Sequence, residues 1–165
     1  MRKKSLLARI IFNLLVKGVN GANLYDSKVQ QEIKSLPENF VVSLGVFPVG
    51  EYITFEINKD IVKKVQNKKA DISILFKNSK IANKVLLGRI SIAQAFANHA
   101  LLLKGDIYKS MSLVRIINIV ENYLFPKWYT KAIPYSEKEV SSLKMYLYVL
   151  FGSKNKKLKG EKNEK

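Results

Sequence analysis

Few side chains in this sequence are placed to move protons, hold metals or attack a substrate. His99 is the only histidine, and there is no cysteine. Disulfides, thiolate metal sites and cysteine nucleophiles are therefore excluded, and the common zinc constellations lack ligands. A serine–histidine–acid triad would have to use His99, yet no Gly-x-Ser-x-Gly elbow presents a serine. His99 follows a predicted helix end, where a lone histidine reads as structural. Neither a Gly-x-x-x-x-Gly-Lys-Ser/Thr loop nor a Gly-x-Gly-x-x-Gly turn is present to cradle phosphates. Asp26, Asp60, Asp71 and Asp106 are dispersed; Asp106 is placed to cap a helix and Asp71 to open a strand. The expectation is a protein that is not an enzyme and that holds neither metal nor cofactor.

Charge is the second chemical feature. The 165 residues carry 29 basic and 13 acidic side chains, for a net charge of +16. That balance admits nucleic acid or an anionic membrane as a partner, and it also fits a solvated lysine surface. Only Arg2, Arg9, Arg89 and Arg115 are arginine, whereas planar recognition of phosphates and bases favours arginine over lysine. The densest basic cluster is Lys59, Lys63, Lys64, Lys68 and Lys69, with no aromatic ring among them to stack on bases. The cluster is read as a membrane-docking surface, and a basic nucleic-acid-binding module is kept as an alternative of lower rank.

The elements that would position such groups follow from periodicity. Leu6, Leu7, Ile10, Ile11, Leu14 and Leu15 have helical spacing. Arg9 and Asn13 interrupt the run, and no A-x-A-like cleavage site follows, so it reads as an amphipathic helix, packed on the domain or laid on a membrane surface, rather than a signal peptide. The stretch is too short to span a bilayer. Ser27 and Gln30 have capping-box spacing ahead of a second helix that Pro37 ends. Residues 40–47 and 52–57 alternate apolar and polar around Pro48-Val49-Gly50 and predict a β-hairpin. Residues 61–66 and 70–76 predict two more strands of an antiparallel meander.

Helical spacing returns with Ile81, Val85 and Leu86, ended by Gly88. Ser91 and Gln94 open a short helix, Leu101 to Lys104 form a last strand bounded by Gly105, and Asp106 caps a long helix to about Leu124. The apolar face of that helix is broad enough to pack a sheet and line a cavity as well. Residues 125–134 are a break rich in proline and aromatics. Ser136 and Glu139 predict a further capping box before a helix that carries Val140, Leu143, Leu147 and Leu150. Residues 153–165, mostly lysine and other polar residues, read as disordered.

One ordered series in the middle of the chain is familiar. Ala70-Asp71 leads a strand; then come Leu86-Leu87-Gly88-Arg89, Ala95-Phe96, the apolar Leu101 to Leu103, and Gly105-Asp106 before Met111. This series resembles the core of the sterol-carrier-protein type 2 family over residues 40–124. The resemblance implies an α+β fold: a five-stranded, mostly antiparallel sheet covered on one face by helices, with extra N- and C-terminal helices. Residues 1–39 would be an N-terminal helical extension, 40–124 the lipid-binding core, 125–152 an aromatic segment and helix, and 153–165 a tail.

The resemblance also implies an apolar tunnel for a lipid or other long apolar ligand, bound and carried without reaction. Strand parity and helix face then give the candidate lining: Phe55, Ile57, Ile72, Ile74, Phe76, Phe96, Leu103, Met111, Val114 and Ile117. For each, ordinary core packing is an equal reading. The aromatics of residues 123–129 would form a lid or fill the tunnel mouth. The expected location is cytoplasmic, with peripheral membrane contact. An accessory role, docking a lipid- or quinone-modifying enzyme, is the competing function.

Overall fold

Apolar alternation decides the sheet, and the helices follow from what that sheet must hide. In the computed structural model, residues 6–48, 52–128 and 132–152 are described. The elements are α1 (Leu6–Tyr25), α2 (Ser27–Lys34), β1 (Phe40–Val46), β2 (Tyr52–Ile57), β3 (Val62–Lys64), β4 (Ile72–Phe76), α3 (Ser79–Leu86), α4 (Ile92–Ala97), β5 (Leu101–Lys104), α5 (Ile107–Leu124) and α6 (Ser142–Leu147). A π-helical turn, Tyr148–Gly152, continues α6. Residues 49–51 of the expected hairpin turn and the expected tail at 153–165 lie outside the described residues, as does Tyr129.

The five strands form one open sheet in the order β3-β2-β1-β4-β5. β1 pairs antiparallel with β2, from Phe40 opposite Ile57 to Gly45 opposite Tyr52. Its other neighbour is β4, in parallel, from Val42 beside Ile72 to Val46 beside Phe76. β3 and β5 are the edges, each antiparallel to its neighbour. The expected four-strand meander is therefore corrected: β1, β2 and β3 make a meander, but β4 crosses back to the far side of β1. β1 is apolar at nearly every position, as a strand flanked on both sides needs to be, so its pattern does not reveal which strand joins it.

Register places Phe40, Val42, Leu44, Val46, Phe55, Ile57, Ile72, Ile74 and Phe76 on one face, and all are buried. The opposite face carries the exposed Tyr52, Lys63 and Leu102. Helices cover only the first face: α1 lies over β2 and β3 and packs on α2, α3 and α5. Gly18 lets α1 and α5 approach closely, because a Cβ there would sit 2.6 Å from Val120 and 3.2 Å from Leu124. Gly105 has φ +116°, and a Cβ there would strike the Asp71 carbonyl, so the turn from β5 into α5 requires glycine.

Capping is partly as expected. Asp106 accepts from the Tyr108 and Lys109 N–H groups, and Ser91 from Gln94 N–H. Two expected capping boxes are replaced. Asp26, not Ser27, caps α2, accepting from Lys28 N–H at 3.0 Å and Val29 N–H at 3.1 Å. Ser136 begins no helix; α6 starts later, capped by Ser141. Glu139 instead accepts from Ser27, at 2.8 Å from its N–H and 2.5 Å from its hydroxyl.

Asp26 is also where three parts of the chain meet. It is fully buried, and the Tyr123 hydroxyl of α5 donates to its Oδ2 at 2.7 Å. The same hydroxyl accepts from Glu139 N–H at 2.9 Å. Burial first, and the Asp26 carboxylate next, push the Tyr123 hydroxyl up to about 12.

Replacing Asp26 with Ala should cost about 3 kcal/mol in urea unfolding, since it strips the cap and leaves a buried hydroxyl unpaired. Tyr123→Phe should cost about 1–2 kcal/mol. The raised Tyr123 pKa also fixes a sign. The unfolded chain loses that proton first, so the contribution is complete below about pH 10 and is lost as pH rises through about 12. Unfolding curves at pH 9 to 12 should show a smaller loss in Tyr123→Phe than in the parent.

Candidate functional site: an apolar groove at the sheet edge

α1 packs on β2 and β3 and the short α4 on β5, and at the β5 edge a groove opens between α4 and α5. Its floor is Ile74 of β4 with Leu101 and Leu103 of β5. One wall is α4, through Ile92, Ala93 and Phe96; the other is α5, through Ile107, Ser110, Met111 and Val114. Each element supplies these residues by its own period. Leu101 and Leu103 are two apart on a strand, and Ile92 and Phe96 are four apart on a helix, as are Ile107 and Met111.

The groove volume is about 130 Å³. Three of its residues are half out of it: Phe96 is 47 % exposed, Ile107 55 % and Met111 47 %. Single exposed apolar residues are ordinary, but three around one concavity make a mouth. The only polar side chain in the lining is Ser110, whose hydroxyl donates to the Asp106 carbonyl at 2.6 Å. The groove thus offers apolar contact and no free side-chain hydrogen-bond donor. None of its lining residues is ionisable, and among the described residues no group of histidine and acidic side chains could hold a metal ion.

Of the ten residues expected to line a tunnel, Ile74, Phe96, Leu103, Met111 and Val114 come together here. Phe55, Ile57, Ile72, Phe76 and Ile117 are instead fully buried in the core. Parity selected the covered sheet face, but that face runs across all five strands, and helices seal most of it. Ile92, Ala93, Leu101, Ile107 and Ser110 were missed. Helical spacing held the signal for three of them, because Ile107 and Ser110 share a face with Met111 and Val114, and Ile92 shares one with Phe96. The aromatic lid is corrected for Tyr123, which is buried against Asp26 and not at the mouth.

The lysine cluster lies elsewhere. Lys63 and Lys64 belong to β3, the edge opposite the groove. Lys63 and Lys68 both pair with Glu56, Lys63 at 3.3 Å, while Lys59 pairs with Glu38 at 3.2 Å. The Lys68 and Lys63 ammonium groups hold the Glu56 carboxyl below the usual range. Lys64 donates to Asn13 Oδ1, and burial, then Lys17 and Arg9, lower its pKa. Lys69 is exposed. Three of the five lysines thus share two carboxylates, and the structure does not bring the cluster to the groove. Among the described residues, no helix is long and apolar enough to cross a membrane.

No family model matches the chain, and no curated protein matches it in sequence. Solved structures do. Sterol Carrier Protein 2 from Yarrowia lipolytica, in its apo form, superposes with a TM-score of 0.51 at 18% identity, over 73% of this chain and 97% of that one. A protein described as UbiJ-SCP2 Ubiquinone synthesis protein superposes with a TM-score of 0.50 at 17% identity, over 70% of this chain and 96% of that one. Nearly the whole of each neighbour is matched, and what this chain adds lies outside it. With the strand order, the one-sided helical cover and the turns at Gly88 and Gly105 in place, the chain has the fold of sterol carrier protein 2.

Proposed function

We propose that this chain binds a lipid-like apolar ligand, without reacting with it, in the groove between α4, β5 and α5. The observation that carries the reading is the lining itself: an apolar concavity with three half-exposed large side chains at its mouth. Such a surface gains about 25 cal/mol for each Å² taken from water, before association costs. The names of the two structural neighbours, a sterol carrier and a ubiquinone synthesis protein, concern molecules of the same apolar kind.

Size sets the mode of binding. Drug-sized ligands occupy pockets of roughly 300–1,000 Å³, and an apolar cavity near 150 Å³ admits a benzene-sized body. At about 130 Å³ the groove takes the end of a chain, with the remainder lying over Phe96, Ile107 and Met111. Met111 can change rotamer at little cost and so adjust the opening.

Native mass spectrometry of the purified protein, followed by solvent extraction, should release a stoichiometric apolar molecule. A bare chain that also takes up no fluorescent acyl probe would refute the reading. Met111→Glu places a charge in the mouth and should weaken acyl-probe binding at least tenfold, at an unchanged melting temperature. A folded Met111→Glu protein that binds the probe as before would show that the groove is not the site.

A further inference from the structure

Arg9 and Asn13, which interrupt the apolar run of α1, have no part in the groove. Arg9, Asn13 and Lys17 follow at intervals of four residues, on one face of the helix. That face runs along the β3 edge of the sheet: Lys64 donates to Asn13 Oδ1, and Val62 N–H donates to Asn20 Oδ1 at 3.0 Å. A cavity of about 320 Å³ lies between helix and strands there, at the edge opposite the groove. Arg9, Phe12 and Asn13 line it from α1, and residues 52–54 and 64–66 line it from β2 and the end of β3.

The charged residues of this lining are Arg9 and Lys64, and no acid is among them. Lys59, Lys63 and Lys68 have carboxylate partners, whereas none of the ion pairs among the described residues includes Arg9, Lys17 or Lys64. Lys64 also stands on the wrong side of its strand for a solvated lysine. It pairs opposite Phe55 on the covered face, two residues from buried Val62, while Lys63 takes the open face. Burial first, then the charges of Lys17 and Arg9, lowers its pKa, so both charges reach it. Cations gathered without a carboxylate raise the energy of the empty fold, and a bound anion turns that repulsion into attraction.

We propose that this cavity binds a phosphate monoester, its phosphate held by Arg9 and Lys64 with Lys17 adding charge from α1, and its small organic body lying along residues 52–54 and 64–66. The site is separate from the groove and does not depend on it. Charge and shape define the class. A planar guanidinium meets two phosphate oxygens at once, and an ammonium adds a point charge beside it. Two or three cations match a dianion better than the single charge of a carboxylate. Small-molecule sites begin at roughly 300 Å³, so a cavity of this size takes a phosphate with a body of a few carbons. A soluble phosphate ester and the glycerophosphate head of an anionic lipid share this chemistry.

The test is titration calorimetry of the full chain with glycerol 3-phosphate, and with acetate for comparison, at one fixed ionic strength so that screening is constant. Glycerol 3-phosphate should bind at a single site and about tenfold tighter than acetate. Arg9→Gln and Lys64→Met remove a charge and keep most of the stem, and each should weaken binding about tenfold, as loss of one charge-assisted hydrogen bond does. Lys59→Gln removes the same charge outside the cavity and should bind like the parent. Thermal melts establish that the variants are folded. Arg9 is exposed, so its variant carries the test if Lys64→Met does not fold. Sedimentation with phosphatidylcholine vesicles containing phosphatidic acid separates the two sources. Vesicle binding that is lost in Arg9→Gln assigns the phosphate to a lipid head, and glycerol 3-phosphate binding without vesicle binding assigns it to a soluble ester. Unweakened binding in both cavity variants, or an equal loss in Lys59→Gln, would overturn the site. So would a parent protein that binds neither glycerol 3-phosphate nor the vesicles.

Discussion

A single buried carboxylate ties α2, α5 and the segment before α6 together. Asp26 sits between two helices at the corner where α1 becomes α2, and a negative charge there is tolerable only if donors surround it. Two backbone N–H groups of α2 and the Tyr123 hydroxyl do so. Because Tyr123 is on α5 and also accepts from Glu139, the cap of one short helix fixes the angle of a second and the path of the segment before α6. Glu139 closes the loop by accepting from Ser27, next to Asp26. Arg115 and Glu32 add a two-pronged pair between α5 and α2 at the surface, at 2.5 and 2.9 Å.

The helical layer so fixed is narrower than the sheet beneath it. α1 packs on β3 and β2, α3 meets β4, and the short α4 packs on the β5 edge. A second long helix at that edge would have produced a closed core. The groove therefore exists because one short helix, six residues from Ile92 to Ala97, stands where a long one would have sealed the face. Phe96 and Met111 are exposed for the same reason: they belong to the apolar layer but have no third helix to pack against.

Much of this was legible in the sequence, and what was not has physical causes. The hairpin alternation at Val42, Leu44, Ile53 and Phe55 identified the inner face, and Asp106, Ser91, Gly88 and Gly105 marked real ends and turns. Local signals failed where the partner lies far along the chain. Nothing near Asp26 reveals that Tyr123 will satisfy it, so Ser27 took the cap in the sequence reading. Nothing in residues 136–139 reveals that Glu139 serves Ser27 rather than its own helix. Parity could place Phe55 and Ile74 on the same face, but only the positions of α1 and α4 separate core from groove. Lys64 stood out only as one of a basic cluster, because nothing local reveals that it pairs opposite Phe55 on the covered face.

The crossover of β4 to the far side of β1 has a consequence for how the chain is made. During synthesis α1 emerges before the strands, with Phe12, Leu15, Val16 and Val19 forming an apolar face. The strands and the helix that pack on it, β2, β3 and α5, come later, and α5 follows β4, the strand that pairs beside β1. Non-local pairing of this kind is slow, because loop closure precedes any gain from contact. The nascent chain thus carries an uncovered amphipathic helix for most of its time on the ribosome, a state prone to aggregation. The basic residues within and just before that helix, Arg2, Lys3, Lys4, Arg9 and Lys17, carry like charge, and like charge opposes association of copies in that state.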